Sequence, residues 1–362
     1  MGEIEYGSSD VNRMKWQIYE KLPYFQQRVA VFYADFTEGN ALLGENARSE
    51  LRAIADALHS CAVLFHMDPV MKEKCRQFKK ADVFGSGRKE QPEESLFVNL
   101  FEVLEETGAY IDQKIKRCNV CKNEVFFTPI PMVYEAMRRK CGFPYWDADF
   151  QLESKENYGC PVCGAYDRDR LMIAFLEEVR GEGEERLKML QIAPTLSIER
   201  YALGREDILY ESTDLMRPGV TFQADLQHMD MVEDNTYDIV ICSHVLEHVE
   251  NDVQAMRELH RILKPDGVCL VLVPLIVGKQ GTEEQWGCGV EENWRRFGQG
   301  DHSRLYGKED FIGRLQKAGF YVNELGKEWF GEEFYRICGF DDLSILYAAT
   351  KEIRLTETEP AV

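Results

Sequence analysis

The stretch Asp234–Gly267 reads DNTYDIVICSHVLEHVENDVQAMRELHRILKPDG and decides the fold class of the chain. Its segment YDIVICS is a short, mostly apolar run, which is typical of a buried strand. The next segment, NDVQAMRELHRILK, is predicted to be a helix whose inner face carries Val253, Met256, Leu259 and either Ile262 or Leu263. We expect Pro265 and Gly267 to end that helix before VCLVLVP forms the next buried strand. A strand, a helix and a strand in this order predict a parallel βαβ unit.

The alternation of strands and helices continues on both sides of this stretch. From about residue 186 to residue 350, short runs rich in β-forming residues alternate with helical segments such as KEDFIGRLQKAG. The runs are KMLQIA, DILYEST, VTFQA, YDIVICS, VCLVLVP, YVNEL and SILYAAT. Alternation of this kind predicts a mainly parallel sheet with helices on both faces. The last two runs lack a clear crossover of the earlier type, so we expect the final strand to be antiparallel.

Length, charge and hydropathy restrict what the chain can be. It has 362 residues, more than the ~250–300 at which single cores stop growing, so two or three domains are expected. Its 43 basic and 63 acidic residues give a net charge of −20, which disfavours nucleic acid and anionic membranes as partners. The longest apolar run, Val268–Val277, is too short to span a bilayer. The N-terminus MGEIEYGSSD lacks the features of a secretory signal, so we expect a cytoplasmic protein.

The first part of the chain has helical periodicity and no motif that indicates chemistry. Residues 1–112 are predicted to form an all-helical accessory domain, which could also mediate a homodimer. Within ENARSELRAIADALHSCAVLF the spacing predicts a helical stripe of Leu51, Ile54, Leu58 and Val63. The polar segment FGSGRKEQPEES is predicted to connect helices of this domain. The other domains are expected at residues 113–166 and 167–351, followed by a polar tail at 352–362.

Four cysteines form two Cys-x-x-Cys pairs, CNVC and CPVC, on either side of the helix-like segment VYEAMRRKC. Each pair can direct two thiolates at one ion, and two pairs complete a tetrahedral zinc site. The predicted ligands are Cys118, Cys121, Cys160 and Cys163. We expect this zinc to be structural, because four thiolates leave no open position. Accidental pairing and a redox-active pair are the alternatives.

The segments SHVLEHV and AMRELHRILKPDG resemble the class I S-adenosylmethionine-dependent methyltransferases of the type 11 group. The resemblance extends from about residue 186 to residue 350. It implies an α/β, Rossmann-like sheet of seven mostly parallel strands, preceded here by the four-cysteine module and the helical domain. CPVCGAYDRDRL, LQIAP and FGQGDHSRLYG also resemble a bacterial subgroup with a zinc ribbon ahead of the methyltransferase domain. That narrower resemblance implies a role in glycan or specialised-metabolite biosynthesis.

The resemblance also implies where S-adenosylmethionine would bind. In the family, a glycine-rich turn after the first strand meets the methionine part of the donor, but here the turn reads APTLS. An aspartate after the second strand would accept hydrogen bonds from the ribose, and an Asp–Leu pair after the third strand would bind adenine. The end of the fourth strand would lie beside the sulfonium. The residues implied are Ile192, Ala193, Pro194, Asp214, Leu215, Asp225, Leu226, Ser243 and His244.

Histidines near the expected acceptor pocket are candidates for removing a proton from the acceptor, since neutral imidazole can accept one near pH 7. We predict that His302 is the acceptor-side base and that Asp301 orients it, with His244 as the rival. Both Asp301 and His302 belong to FGQGDHSRLYG, which is predicted to be a polar loop. This loop, with Arg304 and Tyr306, either contacts substrate or is simply ordered by internal hydrogen bonds.

Two more features accompany this loop. The segment TEEQWGCGVEENWRRF is predicted to form a lid, in which Trp286, Trp294 and Phe297 could line the acceptor pocket. Arg168 and Arg170 open the helix that contains RLMIAFLEEV. We interpret these two arginines as a surface pair, with contact to the donor carboxylate or an anionic acceptor as the alternative.

These features predict an S-adenosylmethionine-dependent methyltransferase that acts on a small molecule, a sugar or a glycan precursor. The glycine-less first turn leaves a second hypothesis, a domain that no longer binds the donor and serves as a zinc-ribbon interaction module. A methyltransferase that modifies nucleic acid or protein is the third, and the net charge of −20 disfavours nucleic acid.

Overall fold

The computed structural model describes residues 8–37, 45–80, 94–145, 150–152, 154, 156–178, 186–352 and 355. These residues form two compact units. The first contains the chain up to Lys116 and Glu124–Phe126, and the second contains Arg117–Asn123 and the chain from Phe127 onward. The predicted connector FGSGRKEQPEES as far as residue 93, and the predicted tail except residues 352 and 355, lie outside the described residues. The finer domain bounds stay a prediction.

The first unit is helical, as predicted. Its helices are α1 (Ser8–Tyr19), α2 (Leu22–Thr37), α3 (Glu45–Leu64), α4 (Pro69–Lys80) and α5 (Glu94–Asp112). Leu51, Ile54 and Leu58 are fully buried, but Val63 is 59% exposed, so its predicted place on the stripe is wrong. Val63 lies about 140° around the helix from Leu58, which turns its side chain away from the core.

The second unit holds the cysteine pairs and the central sheet. In the sequence, the first cysteine pair lies between the short strands β1 (Lys116–Arg117) and β2 (Glu124–Val125), of which Lys116 and β2 belong to the first unit. The strands that follow are β3 (Leu187–Ile192), β4 (Ile208–Asp214), β5 (Phe222–Gln223), β6 (Tyr237–Ser243), β7 (Leu263–Leu272), β8 (Leu275–Ile276), β9 (Glu283–Glu284), β10 (Arg304–Gly307), β11 (Tyr321–Leu325) and β12 (Leu346–Thr350). The helices are α6 (Met132–Cys141), α7 (Asp167–Glu178), α8 (Leu196–Leu203), α9 (Asp252–Ile262), α10 (Val290–Phe297), α11 (Lys308–Lys317), α12 (Lys327–Phe330) and α13 (Glu332–Cys338).

The central sheet confirms the predicted fold class. Its order is β11-β12-β7-β6-β3-β4-β5, and each of its seven strands coincides with one of the seven runs found in the sequence. Strand β12 is antiparallel to both β7 and β11, as expected for the final strand. Strands β3, β4, β5, β6 and β7 pair in parallel. Their carboxyl ends therefore share one edge, where ligands of such sheets bind.

Helix α9 ends earlier than predicted. Met256, Leu259 and Ile262 form its buried face, but the helix stops at Ile262, and Pro265 and Gly267 lie within β7. The backbone N–H groups of Asn235 and Thr236, directly before β6, donate to carbonyl oxygens in the last turn of α9 at 2.9 and 2.8 Å. These hydrogen bonds align the residues that directly follow α9 with β6.

A second, three-stranded sheet was not predicted. In it β10 pairs in parallel with β8 and antiparallel with β9. Four consecutive residues of the predicted polar loop, Arg304–Gly307, therefore form a buried strand. Within the described residues, no helix combines the length and apolar character needed to cross a membrane.

Candidate active site

The turn after β3 is held by side-chain hydrogen bonds where the family has glycines. Ala193 adopts a left-handed φ of 48°, and its N–H donates to the carbonyl oxygen of Thr213 at 2.8 Å. The hydroxyl groups of Thr195 and Ser197 donate to the carboxylate of Asp169 at 3.3 and 2.5 Å. Asp169 is fully buried at the start of α7, and it fixes the turn from a neighbouring helix. Sequence reasoning missed Asp169, although its position in DRDR, in the first turn of a helix with a long apolar run, could have indicated it.

The other predicted donor residues lie at the same edge of the sheet. Ile192 is buried, and the carbonyl oxygen of Pro194 accepts a hydrogen bond from the Arg217 guanidinium. Asp214 ends β4, and its Oδ1 accepts two backbone N–H groups of the following turn at 2.8 and 2.7 Å. This turn leaves Leu215 64% exposed. Asp214 is thus held at the end of its strand by its own turn.

The ends of β5 and β6 supply the remaining predicted donor residues. Asp225 accepts a hydrogen bond from the backbone N–H of Gln227 at 2.9 Å, and Leu226 is buried in the core. The hydroxyl group of Ser243 is buried and has no hydrogen-bond partner within the described residues. His244 follows with a φ of 54°, and its N–H donates to the carbonyl oxygen of Leu272 at 2.8 Å. A buried hydroxyl group without a partner is a feature that a bound ligand would satisfy.

Three imidazole rings surround one buried carboxylate next to Ser243. We call these residues the histidine–glutamate cluster; they are His244, Glu247, His248 and His302. The short turn Leu246–His248 brings Glu247 beneath the end of β6. Its Oε1 lies 3.5 Å from Nδ1 of His244 and 3.9 Å from Nε2 of both His248 and His302. Sequence reasoning missed Glu247, although the spacing H-x-x-E-H in HVLEH could have indicated it.

Burial shifts the pKa values of this cluster. The pKa of His244 and that of His302 both lie well below the ordinary value, first because of burial and then because other cations lie nearby. Both rings are therefore neutral near pH 7. Burial also raises the pKa of Glu247 to about 7.

The cluster lines a small cavity. Its volume is about 200 Å³, and its walls are Ile130, Tyr134, Tyr158, Arg168, His244, Glu247, His248, Gln299 and His302. This volume is below the ~300–1,000 Å³ of sites that hold drug-sized ligands. The cavity can therefore admit a small chemical group, or one end of a larger molecule.

His302 is not oriented by Asp301 in the predicted way. His302 is only 4% exposed, whereas Asp301 is exposed and its carboxylate accepts a hydrogen bond from Gln299 at 3.0 Å. The carbonyl oxygen of Asp301 instead lies 3.1 Å from Nδ1 of His248. Asp301 thus positions His248 through its backbone, because the chain turns between Asp301 and His302.

Arg304 and Tyr306 hold the cluster in place from β10. The Arg304 guanidinium is buried and donates to the carbonyl oxygens of Leu246, Val249 and Glu250 at 2.8–3.1 Å. The Tyr306 hydroxyl donates to Asp252 at 2.8 Å. These contacts fix the turn that carries Glu247, so the segment is internally ordered.

The interpretation of Arg168 and Arg170 as a surface pair is wrong. Arg170 is fully buried, donates to the carbonyl oxygens of Cys338 and Asn157 at 2.6 and 2.5 Å, and lies over the ring of Phe127. Arg168 is half-buried on the wall of the cavity, where it donates to the Tyr158 hydroxyl at 3.1 Å. A helix that is apolar on most sides is buried, and its first turn is buried with it.

None of the three aromatic residues of the predicted lid is in the wall of the cavity that the histidine–glutamate cluster lines. Phe297 is 1% exposed and packs in a separate apolar cluster with Phe143 and Phe150. Trp294 lies beside Tyr134 of the cavity wall, with 6.4 Å between the ring centroids. Trp286 is 55% exposed and borders another cavity of about 530 Å³.

The four predicted cysteines come together. The sulfur atoms of Cys118 and Cys163 are 3.7 Å apart, those of Cys121 and Cys160 are 3.8 Å apart, and all four lie within 4.8 Å of one another. Gly164 has a φ of 76°, and its N–H donates back to the carbonyl oxygen of Cys160 at 2.9 Å. Hydrogen bonds from Cys160 and Cys163 lower the pKa of Cys118. This arrangement suits one tetrahedral ion.

The sheet and its polar carboxyl edge define a Rossmann-like α/β domain of the methyltransferase kind. A family model described as a methyltransferase domain matches residues 135–325, which is more than half of the chain, so the chain belongs to this family. Its sheet is that of a class I S-adenosylmethionine-dependent methyltransferase.

Two curated proteins are similar to parts of the chain. The thiol S-methyltransferase TMT1B of Rattus norvegicus is 29% identical over 104 residues, which is 28% of this chain and 40% of that protein. An uncharacterized protein of Methanocaldococcus jannaschii is 46% identical over 50 residues, which is 14% of this chain and 21% of that protein. The chain thus spans less than half the length of these relatives.

Two solved structures illustrate the range of similar folds. The putative methyltransferase in complex with the Haloferax volcanii Trm112 methyltransferase activator is 14% identical, with a TM-score of 0.33 and coverage of 50% of this chain and 89% of that chain. The YcgJ protein from Bacillus subtilis is 13% identical, with a TM-score of 0.33 and coverage of 51% and 100%.

Proposed function

We propose that this protein transfers a methyl group from S-adenosylmethionine to a small-molecule, sugar or glycan-precursor acceptor. The observation that carries the proposal is a group of buried polar atoms at the end of β6 that have no hydrogen-bond partner among the described residues, on the carboxyl edge that also holds Asp214 and Asp225. These atoms are the Ser243 hydroxyl oxygen and both carboxylate oxygens of Glu247. Buried polar groups normally have partners, so their concentration at the ligand-binding edge favours a ligand there.

The donor fits the residues of this edge. Asp214 would accept hydrogen bonds from the ribose hydroxyl groups, and Asp225 would accept one from the adenine amino group. The turn at Ala193, which Asp169 supports, would pass its backbone N–H groups near the methionine part. When bound, the donor supplies an electrophilic methyl group on a sulfonium ion.

The size and lining of the cavity favour a small acceptor group. At about 200 Å³ it admits a thiol, hydroxyl or amine with little attached bulk. We assign the proton-accepting role to His244, which directly follows β6, and keep His302, the residue favoured by the sequence, as the alternative. Both rings are neutral near pH 7, which a base requires.

The four cysteines are proposed to hold a structural zinc ion. Their mutual distances and the turn at Gly164 suit the knuckle geometry of such sites. Membership of the bacterial zinc-ribbon subgroup, a cytoplasmic location and a homodimer through the helical unit stay predictions of the sequence.

Calorimetric titration with S-adenosylmethionine and S-adenosylhomocysteine tests donor binding directly. Asp214→Ala should weaken both by about 5–150-fold, because a charge-assisted hydrogen bond contributes on the order of 1–3 kcal/mol. Asp230→Ala, which removes an exposed carboxylate nearby, is the matched control and should bind as the wild type does. Absence of donor binding in the wild type would favour the non-enzymatic interaction module.

A radiolabelled methyl transfer assay then searches for the acceptor. The panel should contain small thiols, phenols, amines and sugar derivatives, together with RNA as a test of the third hypothesis. Thiols belong in the panel because the rat relative is a thiol S-methyltransferase. Transfer to RNA with none to small molecules would overturn the proposed acceptor class.

A further inference from the structure

The histidine–glutamate cluster contains a buried carboxylate whose oxygens lack a hydrogen-bond partner among the residues that the structure describes. Glu247 is fully buried, and neither of its oxygens accepts a hydrogen bond within the described part of the chain. Imidazole nitrogens of His244, His248 and His302 lie 3.5–3.9 Å from its Oε1. Burying an unpaired carboxylate is unfavourable, so something that these contacts lack is expected to compensate it.

The spacing of the nitrogen and oxygen atoms suits a metal ion. Ligand atoms of Glu247, His248 and His302 lie within 4.8 Å of one another. Ligands bound at ~2.0–2.2 Å in tetrahedral geometry are separated by about 3.3–3.6 Å. The carboxylate-to-imidazole distances of 3.9 Å exceed this range by a few tenths of an ångström, which side-chain rotation can supply.

The His248 ring is oriented as metal-binding histidines usually are. Its Nδ1 faces the carbonyl oxygen of Asp301 at 3.1 Å, so Nδ1 carries the proton and donates it. Nε2 is then left as a lone-pair donor, and this is the atom that faces Glu247. A backbone carbonyl that fixes the tautomer in this way is the common outer-sphere partner of a histidine ligand.

We propose that Glu247, His248 and His302 bind a divalent transition-metal ion of the zinc class, separate from the four-cysteine site. Two imidazoles and one carboxylate are a ligand set of catalytic zinc sites, which keep one position open. The cavity of about 200 Å³ provides space for that position. A thiol or hydroxyl group of a small molecule is the ligand class that fits there, with His244 beside it to accept a proton.

Arg138, whose charge acts on His302, opposes a cation, and so does Arg168 on the cavity wall. The Arg168 guanidinium is bound to the Tyr158 hydroxyl, and Asp169 and Asp167 lie close enough to offset its charge. These arginines weaken the attraction of the cavity for a cation, whereas the Glu247 carboxylate strengthens it.

Metal analysis of the full chain tests this site without using the donor or any acceptor. Protein stripped with a chelator under reducing conditions is equilibrated with Zn²⁺, desalted and analysed by mass spectrometry for bound metal. We expect two equivalents in the wild type and one in Cys160→Ser/Cys163→Ser. Glu247→Gln should retain the cysteine-bound ion and bind the second at least about tenfold more weakly, as seen when metal-site partners are lost.

Two further variants serve as a control and as a second test of the proposed metal site. Glu250→Gln changes an exposed carboxylate in the same turn and should keep both ions. His248→Gln removes a half-buried ligand and should lose the second ion even if Glu247→Gln fails to fold. A wild type that binds one zinc ion only, or a second ion that persists in both Glu247→Gln and His248→Gln, would overturn the proposal. Calorimetric donor binding by the stripped protein reports on the methyltransferase proposal separately.

Discussion

The hydroxyl group of Ser197 donates a 2.5 Å hydrogen bond to Oδ2 of Asp169, and both side chains are buried. This contact joins the first turn of α8 to the first turn of α7. It restrains the glycine-less turn after β3 through side chains. The turn after β3 is therefore held by Asp169 and Ser197, and a search for a glycine-rich turn does not detect these residues.

A double-mutant cycle measures that contact. Asp169→Ala should lower the free energy of unfolding by about 1–3 kcal/mol, because it leaves buried hydroxyl groups unpaired. Combining it with Ser197→Ala should show a coupling energy of about 0.5–3 kcal/mol by chemical denaturation. Combining it with Ser212→Ala should be additive, because the hydroxyl group of this buried serine on β4 accepts a hydrogen bond from the Thr221 backbone N–H and not from Asp169. Additivity of both pairs would contradict the proposed role of Ser197.

Ala193 carries the backbone strain of the same turn. A left-handed conformation costs a non-glycine residue on the order of 1 kcal/mol. Ala193→Gly should therefore raise the free energy of unfolding by up to about 1 kcal/mol. Ala202→Gly is the matched change at a buried position in α8, and it should lower the same quantity by at least about 1 kcal/mol. Equal losses in the two variants would argue that the turn is not strained at Ala193.

The sequence predicted the central sheet because the signals for it are local. Each of its strands is a continuous apolar or β-rich run, and the two cysteine pairs have a spacing that needs no tertiary information. The fit of the sheet to the seven runs confirms this part. Asp214, Asp225 and Ser243 could be placed at strand ends for the same reason, while their roles stay predictions.

What the sequence did not predict depends on contacts between distant parts of the chain. The turn that carries the buried Glu247 is held by Ser303, 56 residues away, whose N–H and hydroxyl groups donate to the Glu247 carbonyl oxygen. Arg170 is buried because α13 ends against it, 168 residues away. From sequence alone, a charged side chain is expected to be exposed to solvent. Only the tertiary fold brings together the carbonyl groups and rings that enclose it.

Removal of the four-cysteine ion should destabilise the second unit. Cys160→Ser/Cys163→Ser is expected to lose one zinc ion per chain and to unfold at a lower temperature, because a structural zinc contributes directly to folding. Cys141→Ser, at a half-buried cysteine between the two pairs, is the control and should keep its metal. Unchanged zinc content in the double variant would sink the assignment of these ligands.

Arg170 should not tolerate lysine. Its guanidinium lies 3.8 Å from the ring centroid of Phe127 and 4.7 Å from that of Phe340, and it also binds two carbonyl oxygens. Lysine has neither the planar face nor the forked donors, so Arg170→Lys should lower the free energy of unfolding by about 2–4 kcal/mol. The exposed Arg200 of α8 is the control, and Arg200→Lys should change that energy by less than about 0.5 kcal/mol. Denaturant titration decides the matter, and comparable stabilities of the two variants would refute a special role for Arg170.

His244 and His302 can be separated once an acceptor is found. His244 directly follows β6, whereas His302 is 4% exposed and faces Glu247 from the far side of the cluster. If His244 accepts the proton, His244→Ala should slow turnover by about 10²–10⁴-fold while zinc content remains that of the wild type. His302→Ala should lower turnover together with the second zinc equivalent, because it removes a metal ligand. Initial rates at saturating donor, paired with metal analysis of the same samples, distinguish the two residues. Near-normal turnover in His244→Ala, with a strong loss in His302→Ala at full zinc content, would instead restore His302 as the base.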